Sequence, residues 1–213
     1  HLVVAQIPEG ASKPHMDNKG IIWTKNGADK RKVVAKEEIA RLLQSSGNIL
    51  ADELPVTGTS LAEVDIPLFS DYFQKNWENS PEEMGLTLET VLTNTNVLKE
   101  GKMTLAGLLF FGKHPQKFKP AFCIKGVSFF GNEIEAEEYR DSEDMTGTIP
   151  QLFDKGIAFF LRNLKKTQQG QNFNSTGILE VAKIALEELL QNALIHRDYL
   201  INAPIRLFIF DNS

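Results

Sequence analysis

Glu188-Leu189-Leu190-Gln191-Asn192-Ala193-Leu194-Ile195-His196-Arg197-Asp198-Tyr199 closes the longest clean helical pattern in the chain, residues 179–195. Glu188, Asn192 and His196 fall at steps of four. At about 100° per residue they drift slowly along one side of a helix. They border an apolar stripe of Ala182, Ala185, Leu186, Leu189 and Ala193. A carboxylate and an amide one turn apart, at the rim of a buried face, have a definite chemical use. The carboxylate can orient or deprotonate a water, and the amide oxygen can ligate a magnesium ion that carries nucleotide phosphates. The plainer alternative is a solvated helix edge with a mild i, i+4 polar pair.

Outward from this helix, residues 204–210 alternate as a strand, and residues 147–164 place seven apolar residues at helical spacing. Residues 165–176 are polar and rich in Gln and Asn, an expected exposed loop. Residues 132–145 are acidic, an expected solvated loop or sheet edge, and residues 121–130 read as a strand. Thr104 is a candidate N-cap for a short apolar helix through Phe111, stopped by Gly112 and Pro115. Helices are expected over 68–77 and 86–98. Breakers fill residues 45–66: Ser45-Ser46-Gly47-Asn48, Pro55 and Gly58. The beginning of the chain reads as a strand over 1–8, a second over 20–24, the turn pair Asn26-Gly27, and a helix over 36–44 with Ile39, Leu42 and Leu43 in register. Both ends lie flush with strands, so the chain is expected to be a piece of a longer protein.

Composition bounds the chemistry. A 42% hydrophobic share over 213 residues is enough for a real core without disulfides or metals. The single cysteine, Cys123, lies in an apolar run and is expected to be buried and inert. It permits no disulfide within the chain, which fits a reducing cytoplasm. No apolar run approaches the roughly 20 residues that span a bilayer, so no membrane partner is expected. Four scattered histidines give no zinc spacing, and neither a P-loop nor a Gly-x-Ser-x-Gly elbow occurs. The net charge of −5 is unevenly spread. Residues 47–101 hold two basic and ten acidic side chains, whereas residues 102–131 hold five basic and none acidic. Lys25 and the compact Lys30-Arg31-Lys32 form a further basic group beside the Asn26-Gly27 turn. These four are candidate nucleic-acid contacts, since each neutralised phosphate adds salt-sensitive affinity; the alternative is a soluble loop face. Trp23 is a candidate stacking residue or a core tryptophan. Lys113, Lys117, Lys119 and Lys125, interleaved with Phe118 and Phe122, suit either binding or amphipathic packing.

The stretch from Glu188 to Tyr199, followed by the strand at 204–210, resembles the N box of a GHKL-type ATPase. More narrowly, it resembles the variant in RecG-related transcriptional regulators, which show a glutamate, an asparagine four residues later, and a His-Arg-Asp-Tyr tail. Met103-Thr104-Leu105-Ala106-Gly107-Leu108-Leu109-Phe110-Phe111-Gly112-Lys113-His114-Pro115-Gln116 is similar to the middle region of the same family. Ile7-Pro8-Glu9-Gly10, Lys13-Pro14, Gly20-Ile21-Ile22-Trp23-Thr24-Lys25-Asn26-Gly27 and Glu37-Glu38-Ile39 resemble the end of a Schlafen/AlbA-type DNA-binding domain.

The resemblance implies a cytoplasmic bacterial regulator that binds DNA, with room for a homodimer. It implies ATP and magnesium as cofactors of the full-length protein. Glu188 would be the water-orienting base and Asn192 the magnesium ligand through the nucleotide, with His196 and Arg197 steadying the helix end or contacting phosphate. The glycine-containing boxes of such a pocket would lie beyond Ser213, so the chain alone is not expected to hold ATP tightly or to work as an enzyme. Glu187 stands where the family often has an arginine. The expected fold class is α+β: a small N-terminal strand-strand-helix remnant, a mixed helical and strand middle, and the start of a GHKL-like α/β sandwich. The expected divisions are 1–46 for the DNA-binding remnant, 47–66 for a connector, 67–145 for the middle region and 146–213 for the ATPase-like part. An ATP-hydrolysing enzyme using Glu188 and Asn192 is the alternative function. A protein-interaction scaffold is a third, suited by the acidic connector and the 165–176 loop.

Overall fold

Turn chemistry and a short apolar core organise the first part of the chain. The computed structural model describes residues 3–6, 10, 13–77, 83, 85–134, 138–167 and 177–211. The fold is α+β, and the chain divides into two units, residues 1–51 and 52–213. In the first, β1 (Trp23–Asn26) pairs antiparallel with β2 (Asp29–Lys32). Gly27 takes a φ of 64° in the two-residue loop, which an L side chain would resist. Buried Ile22 accepts the N–H of buried Val33 and bridges Met16. Helix α1 (Lys36–Ser45) follows, with Ile39, Leu42 and Leu43 half-buried. The second expected strand therefore sits three residues later, because the hairpin loop sets its register. Residues 3–6 of the strand expected over 1–8 pair with no other strand among the described residues; the remainder of that stretch lies outside them.

The second unit contains two hydrophobic clusters. The first gathers Phe69 and Phe73 of α2 (Ile66–Asn76), Val91 and Leu92 of α3 (Leu88–Asn94), and the hairpin of β3 (Leu98–Lys99) and β4 (Lys102–Met103). Over them lies α4 (Leu105–Phe111), whose N-cap Thr104 accepts the N–H of Gly107 at 2.9 Å as its sequence position predicts. A Cβ on Gly107 would stand 2.3 Å from the carbonyl oxygen of Val97, so only glycine lets the helix rest directly on the hairpin. The stretch 47–66, expected as a connector, instead supplies Val56 and Val64 to this cluster. Thr59 fastens it there: its buried hydroxyl donates to Val56 and accepts the N–H of Met103 at 3.0 Å. Pro55 and Gly58 are turn residues between short buried segments, which is why the stretch reads as a linker.

The short helix α5 (Pro115–Phe118) leads to the second cluster. Its sheet has β5 (Ile124–Phe129) at the centre, antiparallel to β6 (Tyr139–Met145) and parallel to the last strand of the chain, Ile205–Ile209. Helix α6 (Ile149–Asn163) packs on β5 at Gly126, where a Cβ would lie 2.9 Å from both the Phe159 ring and Met145. Arg162 bridges Asp141 and Glu143, tying α6 to the charged edge strand β6. The acidic stretch at 132–145 thus ends in an edge strand, one of the two alternatives its composition allows. Strands β7 (Lys166–Thr167) and β8 (Ile178–Leu179) pair antiparallel; most of the expected 165–176 loop lies outside the described residues. Helix α7 (Lys183–Ile195) starts four residues later than its apolar pattern predicts, because Ile178 and Leu179 are taken by that pairing. It seats Leu190 against Gly156 of α6, and the last strand is β9 (Ile205–Ile209). Cys123 is buried, as expected. Among the described residues no helix is long and apolar enough to cross a membrane.

Candidate functional site

Helix α7 turns Leu186, Leu190 and Leu194 into the core at steps of four. This corrects the apolar stripe expected through Ala182, Ala185, Leu186, Leu189 and Ala193. Of these only Leu186 is buried, and Leu189 is 65% exposed. The leucines at 186, 190 and 194 offer more apolar surface to the sheet than the alanines do. They rotate the helix so that Glu188 and Asn192 face solvent on the opposite side. There Asn192 Nδ2 donates to Glu188 Oε1 at 3.1 Å. The two side chains form one exposed unit, and the planar amide turns its Oδ1 away from the carboxylate.

An apolar cleft of about 320 Å³ opens between α4, α6 and α7, with Phe110, Ile149, Phe153, Gln191 and Ile195 in its wall. Positions 188, 191 and 195 share a helix face by their i, i+3, i+7 spacing. Gln191 and Ile195 of that face line the cleft, and Glu188 and Asn192 are not among its lining residues. A mostly apolar concavity of this size is within the range of small-molecule sites.

The rest of the His-Arg-Asp-Tyr tail is engaged in structure. His196 is exposed at the C-cap, its backbone N–H bound by Asn192 O at 2.9 Å. Arg197 points to the following loop: its guanidinium donates to Ala203 O at 2.6 Å and lies 4.4 Å over the Phe122 ring. Burial pushes the Arg197 pKa below its ordinary value, partly offset by Tyr199, Cys123 and Asp198. Tyr199 donates to Leu194 O at 2.5 Å and packs edge-on against Phe122; burial raises its pKa. The structure thus joins Glu188 with Asn192, leaves His196 at the helix end, and gives Arg197 the task of fixing residues 201–203. Among the described residues no group of three or more His, Cys, Asp or Glu could hold a metal ion by itself.

The basic candidates of the first unit lie on the β1–β2 hairpin. Trp23 pairs with Lys32 and Lys25 with Lys30, so these four share one face. Lys30 Nζ sits 4.3 Å and Lys32 Nζ 5.6 Å from the Trp23 ring centroid. The indole is 37% exposed rather than core, and its Nε1 donates to Asp17 at 2.8 Å. Hydrogen bonds from Trp23 and from backbone N–H groups hold the Asp17 carboxyl below the usual carboxylate range. Arg31 lies on the other face, paired with Thr24 across the hairpin. It grips Glu38 of α1 through two hydrogen bonds, at 2.6 and 2.9 Å.

The second basic block also divides. Lys125 pairs with Asp144 at 2.9 Å, and Lys119 lies over Phe122. Lys113 and Lys117 share a cavity with Lys155 of α6. No local pattern announces that third lysine, which is 38 positions beyond Lys117.

No protein-family model matches the chain, and no curated protein does. Among solved structures, the chain is similar to the crystal structure of the DIP2311 protein from Corynebacterium diphtheriae, at 18% identity and a TM-score of 0.48. The match covers 92% of this chain and 38% of that one, so the chain spans well under half the length of the structure it matches.

Proposed function

We propose that the protein is a DNA-binding transcriptional regulator whose β1–β2 hairpin contacts the phosphate backbone. The observation that carries this reading is the grouping of Lys25, Lys30 and Lys32 on one exposed face beside Trp23. A two-stranded ribbon has the dimensions to enter a major groove, and three ammonium groups on one face can neutralise successive phosphates. Duplex DNA titrated by fluorescence anisotropy at several salt concentrations tests it. Replacing Lys30 and Lys32 by Gln should weaken binding and flatten the salt dependence by about two units of slope, near 0.9 for each phosphate no longer neutralised. An unchanged slope removes the hairpin from the interface.

A second reading, ATP hydrolysis by the full-length protein, is favoured by the Glu188–Asn192 pair and by the apolar cleft that Gln191 and Ile195 of the same helix line. The donor set fits: an exposed amide oxygen suits a hard cation, and an adjacent carboxylate suits a water. Asn192 would hold magnesium through the nucleotide, and the bound ion would offset phosphate charge. Glu188 would orient and deprotonate the attacking water. Release of inorganic phosphate by the full-length protein and its Glu188→Ala variant tests this, with equal turnover counting against it.

A further inference from the structure

We propose that the cavity formed by α5, the turn between β6 and α6, and the first two turns of α6 binds a compact phosphate-bearing anion of the diphosphate type. Its volume is about 330 Å³, and Lys113, His114, Lys117 and Lys155 line it together with Gln116 and Gly147. Among the described residues lining it there is no carboxylate. Three lysines line one concavity, Lys117 with the Glu63 carboxylate 3.7 Å from its ammonium group, and the field they focus favours a ligand with more than one negative charge.

The walls are fixed in advance. Gln116 Nε2 donates to Phe122 O at 2.8 Å and Gly147 O at 2.9 Å, while its Oε1 accepts the Gly147 N–H at 2.8 Å. That double clasp holds α5 against the turn ahead of α6. Gly147 has a φ of 133°, and a Cβ there would stand 2.4 Å from Gln151 Oε1, so this wall admits only glycine. Two of the cations are held by backbone carbonyls. Lys113 donates to Ala62 O at 2.8 Å and Lys155 to Thr146 O at 2.6 Å. One carbonyl occupies one of the three N–H donors of an ammonium group, which leaves donors on both lysines for a ligand. Lys117 is balanced more loosely, with Glu63 at 3.7 Å. The polar lining and size near the lower end of small-ligand pockets suit a diphosphate group rather than an apolar molecule.

Isothermal titration of the 213-residue chain with inorganic pyrophosphate at low salt tests the proposal. One saturable site is expected. Replacing Lys113 and Lys155 together by Gln should weaken it about 100-fold, near tenfold for each charge-assisted hydrogen bond removed. Lys155→Arg should retain most of the affinity, and the Lys30→Gln, Lys32→Gln variant should bind as the parent does. Absence of saturable binding, or equal affinity in the Lys113→Gln, Lys155→Gln variant, overturns the assignment. Duplex DNA binding that needs Lys155 without any response to pyrophosphate also overturns it. Should that variant fail to fold, labelling of the parent with an amine-reactive reagent decides. Pyrophosphate must protect Lys113 and Lys155 in preference to Lys30 and Lys32, and uniform labelling sinks the site.

Discussion

Asn192 leans back one helical turn to donate to the Glu188 carboxylate, on the face of α7 turned away from the core. Neither side chain supports the hydrophobic cluster beneath, so substitutions there should separate chemistry from folding. On the proposed ATP-hydrolysis reading, Asn192→Ala should leave unfolding free energy within about 0.5 kcal/mol of the parent while removing magnesium-dependent nucleotide binding from the full-length protein. Glu188→Gln keeps an oxygen that can accept from Asn192 but loses the base. Nucleotide binding should survive it, and turnover should fall by about 10²- to 10⁴-fold. Urea titration and phosphate release read the two effects. Loss of binding in Glu188→Gln as severe as in Asn192→Ala contradicts this division of labour.

The hairpin offers a contrast between neighbouring cations. Lys30 lies on the Trp23 face, whereas Arg31 is committed to Glu38 on the other. Lys30→Gln should reduce the salt slope of DNA binding by about 0.9, the value of one neutralised phosphate, with Arg31→Gln leaving the slope unchanged. A larger change in slope for Arg31→Gln would place the interface on the opposite face.

Acid should loosen α6 from β6 at a definite stage. The hydrogen bond from Asn163 is the largest influence holding the Asp141 carboxyl below its usual range; burial opposes it, and Arg162 adds a further lowering. A depressed folded-state pKa stabilises the fold fully above the unfolded value, roughly pH 3.9 for aspartate. That contribution is lost as pH falls through the lower folded-state value. Stability measured against pH should therefore decline in that acid window, and Asp141→Asn should flatten the decline. An identical acid profile in Asp141→Asn would show that the contact makes no contribution.

Ser128 lies next to the end of β5, the middle strand of its sheet, with a fully buried hydroxyl, and its Oγ has no hydrogen-bond partner among the described residues. An unsatisfied buried hydroxyl costs on the order of 1 kcal/mol or more. Ser128→Ala should raise the urea midpoint, by about 1 kcal/mol in unfolding free energy. A fall of that size would mean that the hydroxyl has a partner in solution.

Local chemistry makes much of this fold legible. Thr104 starts α4 through its side-chain cap, Gly112 follows its last residue as expected, and the alternation at 204–210 is a strand. The polar steps from Glu188 to Asn192 lie on one exposed helix face. What stays hidden depends on distant partners. The pairing of 166–167 with 178–179 shortens α7, and Val56 and Val64 reach the core from a stretch full of turn residues. Trp23 reads as core by residue type, but its indole N–H and ring are satisfied by Asp17 and lysines at the surface. Lys155 joins Lys113 and Lys117 only through tertiary packing.

The seat of Leu190 at Gly156 has a mechanical corollary. A side chain lodged in a notch left by a missing Cβ acts as a tooth in a rack, so α7 can slide along its axis only by unseating it or dragging α6 along. A load on the outer face of α7 therefore reaches α6 through that meshed pair, alongside the cluster that Leu186 and Leu194 share with the sheet.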